Sequence, residues 1–188
     1  MTRLLPLVAV TGLLLAGCGS SSQPVNPNSA ENSPPGDIPD DQAYVAYSPP
    51  GGGYTVKVPE GWARITAGGA VTFTDKLNSI RMESVATRAA PTVATAKRRL
   101  VPKLQQSVRG FALRAVSSVH RTGGTAILIA YASDAPASAV TNHTGSNDVE
   151  RYVFFRRGKD VVLTLSGPKG ADNVDPWRLV TDSLRWSR

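Results

Sequence analysis

The sequence has one cysteine and two histidines in 188 residues, and aromatic side chains make up only 6% of it. A single cysteine cannot close an internal disulfide, and one thiol with two imidazoles cannot build a thiolate zinc cluster or a three-histidine metal centre. Long apolar runs are equally scarce. The one that exists, Leu4 to Ala16, stops short of the roughly 20 residues that a helix needs to cross the hydrocarbon core. No internal period and no sustained heptad recur, which excludes repeat arrays and coiled coils. Also missing are a Gly-x-Ser-x-Gly elbow, a Gly-x-x-x-x-Gly-Lys-Ser/Thr loop and a His-Glu-x-x-His pair, so the common hydrolase, nucleotide and zinc-protease signatures are absent. What is present is a chain of single-domain size, 41% hydrophobic, with a formal charge of +7.

The N-terminus reads Met1-Thr2-Arg3 and then an apolar stretch to Ala16, the layout of a signal peptide with a basic n-region and a short h-region. It ends in Leu15-Ala16-Gly17-Cys18, which resembles the lipobox of bacterial lipoproteins at every position. The resemblance implies cleavage before Cys18 and a diacylglycerol on its thiol. Residues 1–17 are then a discarded leader, and the mature protein is tethered rather than spanning. An ordinary signal sequence holding a buried cysteine would not require small residues beside a leucine at this spacing. Two long acyl chains anchor stably, at roughly 0.8 kcal/mol per buried methylene, where one myristoyl chain would not.

From Gly19 to Gly53 the composition shifts: seven of the 14 prolines fall here, and no Lys or Arg. Such a segment cannot bury enough apolar surface to offset its ordering entropy. Residues 18–43 are therefore expected to be a disordered tether reaching on the order of 25–30 Å. Without Arg3 and without Glu31, Asp37, Asp40 and Asp41, the region 44–188 keeps 20 basic and 10 acidic side chains, a charge of +10. For a chain on the outer face of the cell membrane, that charge points to anionic headgroups or acidic wall polymers and not to nucleic acid. A solvated basic surface without a dedicated partner is the plainer reading of the same numbers.

Within 44–188, Tyr54–Val58 alternates and stops at Pro59-Glu60-Gly61-Trp62, and Val71–Thr74 and Ile80–Ala86 read as further strands. Val93, Ala96, Leu100, Leu104 and Val108 then recur at helical spacing, with Thr92 placed to cap, Pro102 placed to kink or split the helix, and Gly110 as its stop. Strands return at Phe111–His120 and Thr125–Ala132, and again as a hairpin of Val149–Arg157 and Asp160–Ser166 around Gly158-Lys159. Consecutive apolar residues in Ile127-Leu128-Ile129 and Tyr152-Val153-Phe154-Phe155 require both sheet faces to be covered. A last helix is signalled by Asp175 as N-cap, Pro176 at the first position and a Trp177, Val180, Leu184 stripe. The fold class is α+β, a predominantly antiparallel sheet between helices. This element order, with Tyr54–Trp62 at its start and Val161–Leu165 followed by Asp175-Pro176-Trp177 near its end, resembles the PsbP-like α/β/α sandwich. The resemblance implies a binding or assembly subunit, not an enzyme, and transfers no site residue.

Few residues suggest chemistry. The stretch Ser133–Asp148, with Asn142, His143 and Asp148, reads as a long loop and hence as a binding surface for an envelope protein or glycolipid. Lys97, Arg98, Arg99 and Lys103 form a basic patch suited to facing a membrane. A Ser-His-Asp set can be drawn on paper from His143, Asp148 and a distant serine, which makes a small envelope esterase the alternative function, but no spacing demands it. His120 ends a strand, and Asn142-His143-Thr144 matches a glycosylation sequon only by coincidence in such a chain. Asp172, Asn173 and Asp175 group three oxygen donors, but capping accounts for Asp175 without a metal. Gly167-Pro168-Lys169-Gly170 reads as a turn, and Trp177 as core, with Trp62 and Trp186 as the remaining tryptophans. No metal and no cofactor is expected.

Overall fold

The computed structural model describes residues 36–75, 77–137 and 144–187. Seven strands form one antiparallel sheet in the order β3-β4-β5-β9-β8-β7-β6. These are β3 (Ala63–Ala67), β4 (Ala70–Asp75), β5 (Asn78–Ala86), β6 (Ala112–Arg121), β7 (Gly124–Ala137), β8 (Thr144–Arg156) and β9 (Lys159–Pro168). A smaller sheet of β1 (Tyr44–Tyr47), β2 (Tyr54–Pro59) and β10 (Arg185–Trp186) packs with helix α3 (Val174–Asp182) on one face of the large sheet. The other face carries a broken helix: α1 (Val93–Thr95), a π-helical segment Ala96–Leu100, and α2 (Val101–Ser107). The structure is thus the α/β/α sandwich with an antiparallel sheet that the apolar runs call for.

The runs of consecutive apolar residues divide between two cores because successive strand residues point to opposite faces. Ala126, Tyr152, Phe154, Val161, Leu163 and Leu165 pack toward α3 and the small sheet, with Trp177, Val180 and Leu184. Ile127, Ile129, Tyr131, Val149, Val153 and Val162 pack under the broken helix. The Trp177 stripe is core, and Trp62 and Trp186 lie half-buried against it.

Several expectations shift. The expected tether includes residues 36–43, yet Ile38 is only 4% exposed and belongs to the first core. Its N–H donates to Asn173 Oδ1 at 2.8 Å, and the carbonyl of Gly36 accepts from both Asn78 and Asn173. One isoleucine and a few polar partners hold a segment whose composition alone reads as unstructured. The expected loop Ser133–Asp148 is mostly ladder: Ala132 pairs with Asp148, Ser133 with Asn147 and Asp134 with Ser146. Polar residues are tolerated there because cross-strand pairing orders the ends of long strands.

The last helix begins two residues earlier than expected. Trp177 N–H makes the first helical bond, to Asn173 O at 3.0 Å, so Asn173 is the N-cap residue and Asp175 lies in the first turn. Pro176 is tolerated there because the first N–H groups of a helix have no intrahelical acceptor. The β8–β9 turn is Arg157-Gly158, with φ of 50° and 77°, closed by Arg156 opposite Lys159. Two positive φ values in a two-residue turn match the right-handed twist of the strands they join.

Candidate binding surfaces

The broken helix starts at a reciprocal cap. Thr95 N–H donates to Thr92 Oγ1 at 3.1 Å, and Thr92 N–H donates to Thr95 Oγ1 at 2.7 Å. Pro102 has no N–H to offer, and its ring would collide with the carbonyl four residues back. The chain widens ahead of it: Val101 N–H reaches Ala96 O, a π turn. The kink expected at Pro102 therefore takes the form of this wide turn, with α2 restarting at Val101. Ala96 is buried, and Leu100 and Leu104 pack on the sheet. Lys97, Arg98, Arg99 and Lys103 are all exposed, and none forms an ion pair with a described residue. From Ser84 to Ser133 the sequence holds eight basic residues and no acidic one. The outer surface of this layer is built from that stretch, so its positive charge has no compensation within its own segment.

A second surface lies where α3 begins. A cleft of about 160 Å³ is lined by Arg114, Asp148, Glu150, Asn173, Val174 and Trp177. Asp148 Oδ1 sits 2.5 Å from Arg114 Nη2, an ion contact without hydrogen-bond alignment. Glu150 accepts the Tyr152 hydroxyl at 2.7 Å, and that hydroxyl accepts from Arg121 Nη2 at 3.1 Å. Burial, reinforced by Glu150, pushes the Tyr152 hydroxyl up to about 12, so it stays a donor. Arg121 continues the chain to Thr181 on α3 at 3.1 Å. The arrangement ties the helix to the sheet and leaves Val174, 72% exposed, at the rim.

Of the loop residues expected to bind, Asp148 lines this cleft, while Asn142 and His143 lie outside the described residues, as do Cys18 and the rest of the leader. Asp148 makes its ion contact with Arg114. His120 is exposed at the end of β6. Asp172, Asn173 and Asp175 do not converge as metal ligands. Asp172 N–H donates to Asp37 Oδ1, and the Asn173 side chain is consumed by Gly36, Ile38 and Asn78. Among the described residues no group of three or more His, Cys, Asp or Glu side chains is placed to hold a metal ion. Gly167 lies in β9 opposite Asp148, and the turn after it is closed by Ala171 N–H to Pro168 O.

Sequence reasoning missed a polar network on the helix-side face of the sheet. Arg151 Nη2 donates to Glu83 Oε1 at 2.5 Å and its Nη1 to Thr164 Oγ1 at 2.9 Å, while Arg81 Nη2 donates to Glu83 Oε2 at 3.2 Å. Burial raises the Glu83 carboxyl, but Arg151 and Arg81 together outweigh it and hold the group below the usual carboxylate range. The signal was the two-residue spacing of Arg81 and Glu83 in β5, which puts both on one face. Their partner, 68 residues away from Glu83, is not visible in any spacing.

No family model matches the chain, and no curated protein matches it. Solved structures do. The solution structure of the cyanobacterial PsbP protein CyanoP from Synechocystis superposes with a TM-score of 0.58 at 17% identity, covering 77% of this chain and 93% of that one. The fold is PsbP-like. The Ran-binding protein Mog1p of Saccharomyces cerevisiae has it too, with a TM-score of 0.54 at 11% identity over 77% of this chain and 96% of its own. At these identities the likeness concerns the PsbP-like architecture and carries over no residue.

Proposed function

We propose that the protein is a non-enzymatic binding or assembly module of the bacterial cell envelope, held on the outer face of the membrane by lipid on Cys18, with Lys97, Arg98, Arg99 and Lys103 facing an anionic surface. The observation that carries the reading is the helix layer: four exposed cations beside one another, unpaired among the described residues, in a stretch of 50 residues without an acid. Each cation close to an anionic leaflet contributes about 1 kcal/mol, so four give about 4 kcal/mol, roughly a thousandfold in affinity. The lipobox supplies the anchor, and the apolar run Leu4 to Ala16 ahead of it is shorter than the roughly 20 residues that cross the hydrocarbon core. A binding role agrees with a Ran-binding neighbour of the same fold. An envelope protein or glycolipid is the partner class suited to the cleft beside Asp148.

The test has two arms. Produced in a bacterial host, the protein should have the mass of residues 18–188 with a diacylglycerol added and partition into detergent, and Cys18→Ser should abolish both. The unlipidated Cys18→Ser chain should bind vesicles rich in phosphatidylglycerol at low salt and release them at high salt. Replacing the four cations by glutamine should remove that binding. A wild-type chain without added mass overturns the anchor; vesicle binding that ignores salt and the four substitutions overturns the surface.

A further inference from the structure

Beneath the π turn lies a cleft of about 420 Å³, lined among others by Arg88, Ala90, Pro91, Arg99, Leu100 and Asp160. It exists because the connection from β5 to α1 crosses the end of the sheet on small side chains, Ala89, Ala90 and Pro91, that cannot fill the space beneath the helix. Its volume falls in the range of small-molecule sites.

Its charges do not satisfy one another. Asp160 Oδ1 is shielded from solvent and has no hydrogen-bond partner among the described residues. The neighbouring cation, Lys159, points to the other face of β9 and donates to the carbonyls of Gly51 and Gly52 at 3.0 and 3.2 Å. Arg88 and Arg99 line the same cleft, and neither forms an ion pair with a described residue. A shielded acceptor left without a donor is costly, and native structures hold few of them.

We propose that this cleft binds a small zwitterion, with the Asp160 carboxylate rotating to present its shielded oxygen to a primary ammonium and a nearby anionic group held by Arg88 and Arg99. A cation alone would leave the two guanidinium groups idle, and an anion alone would face Asp160. Only a ligand with both signs satisfies all three side chains, and the small apolar walls leave room for a short body between its ends. Burial keeps the Asp160 carboxyl above its usual range, a cost that a bound ammonium relieves. A peptide terminus or free amino acid carries this chemistry, and so does a phosphoethanolamine headgroup.

The proposal is tested on the full-length Cys18→Ser chain, isotopically labelled, titrated with alanyl-alanine and with phosphoethanolamine while backbone amides are followed by NMR. One or both ligands should shift amides of residues 86–100 and 159–161, and which one does so identifies the source. Acetylating the amine should weaken binding about tenfold or more, because the acceptor is then unsatisfied. Asp160→Asn should remove this preference for a free amine, and Arg88→Gln with Arg99→Gln should remove the preference for a free carboxylate or phosphate over its amide or ester. Since Asp160 has no partner to lose, Asp160→Asn should keep the wild-type amide dispersion; should it not, the two arginine variants carry the test alone. Absence of shifts in those segments with either ligand at about 10 mM overturns the proposal, as does equal binding of the acetylated ligands or of inorganic phosphate. Arg99 belongs to both surfaces, so vesicle binding is read separately on a chain with Lys97, Arg98 and Lys103 replaced by glutamine and Arg99 kept, and the two readings then fail separately.

Discussion

Asn173→Ala should cost this protein about 2–4 kcal/mol of stability and release the chain ahead of β1. The wild-type side chain is 3% exposed and makes three hydrogen bonds. Its Oδ1 accepts from Ile38 N–H at 2.8 Å, and its Nδ2 donates to Gly36 O at 3.0 Å and Asn78 Oδ1 at 3.1 Å. Alanine leaves Ile38 N–H and Asn78 Oδ1 without these partners, while Gly36 O keeps the Asn78 amide at 2.8 Å. Each orphaned group costs about 1–3 kcal/mol if it stays buried. The chain limits that loss by letting Gly36–Asp41 peel away, which instead gives up the burial of Ile38, about 2 kcal/mol. Held in place, the two orphaned groups would cost about 2–6 kcal/mol together, so peeling keeps the loss in the lower part of that range. Urea unfolding measures the stability, and hydrogen exchange at the Ile38 amide distinguishes the routes. A loss below about 0.5 kcal/mol with the Ile38 amide still protected would refute the clasp.

Two other perturbations probe different parts of the sandwich. Glu83→Gln should lose about 2 kcal/mol at neutral pH, because charge-assisted hydrogen bonds to Arg151 and Arg81 become neutral ones. The folded-state carboxyl is held below its ordinary value near 4.5, so the wild-type advantage is complete above that value and disappears as pH falls through the lower, folded one. Unfolding followed across that range checks the sign, and an advantage that grows on acidification would contradict it. Gly167→Ala should destabilise although the residue is a β9 glycine with ordinary φ, because a Cβ there would come within 2.4 Å of Asn78 Oδ1 and 2.7 Å of Asn173 Nδ2. Thermal unfolding of this variant should fall by a similar margin to Asn173→Ala, and the two together should cost less than their sum, since both break one clasp.

The elements legible in the sequence are those whose signal is local and periodic. The apolar runs at Ile127–Ile129 and Tyr152–Phe155 placed the central strands and required two covered faces. The stripe from Val93 to Val108 placed the broken helix, Thr92 its cap and Pro102 its irregularity. By contrast β3, Ala63-Arg64-Ile65-Thr66-Ala67, alternates over only five residues with alanine at two of its three apolar positions, and it is exposed along its whole length, so its period is too short and too weak to mark it. The two-residue β10 exists only because Arg185 and Trp186 pair with Thr55 and Tyr54. Asp175 looked like a cap because Asp before Pro is a strong local signal, yet the turn made by Pro168–Ala171 starts the helix earlier. Of the residues proposed to meet an anionic surface, Lys97, Arg98, Arg99 and Lys103 were legible as charges, and the helical period placed them off the apolar stripe. The cleft under the π turn was not legible, since Asp160 and Arg99 lie 61 residues apart in the chain and no spacing connects them.

The sequence by itself determined the lipobox resemblance at Cys18, the basic domain behind an acidic tether, the sandwich architecture, and the absence of common catalytic motifs. The lipobox and the sandwich are resemblances carried by a motif and by element order, whereas the division of charge follows from composition and the strands and helices from periods of two and of 3.6 residues, which burial on one face imposes on the chain. Tertiary structure alone decided that Ile38 joins the core, which charges are paired, and which are left facing a cleft. Ile38 meets Asn173 across 135 residues and Glu83 meets Arg151 across 68. A hydrogen bond needs a partner at about 3 Å in a suitable direction, and the chain leaves no periodic record of which distant residue supplies it.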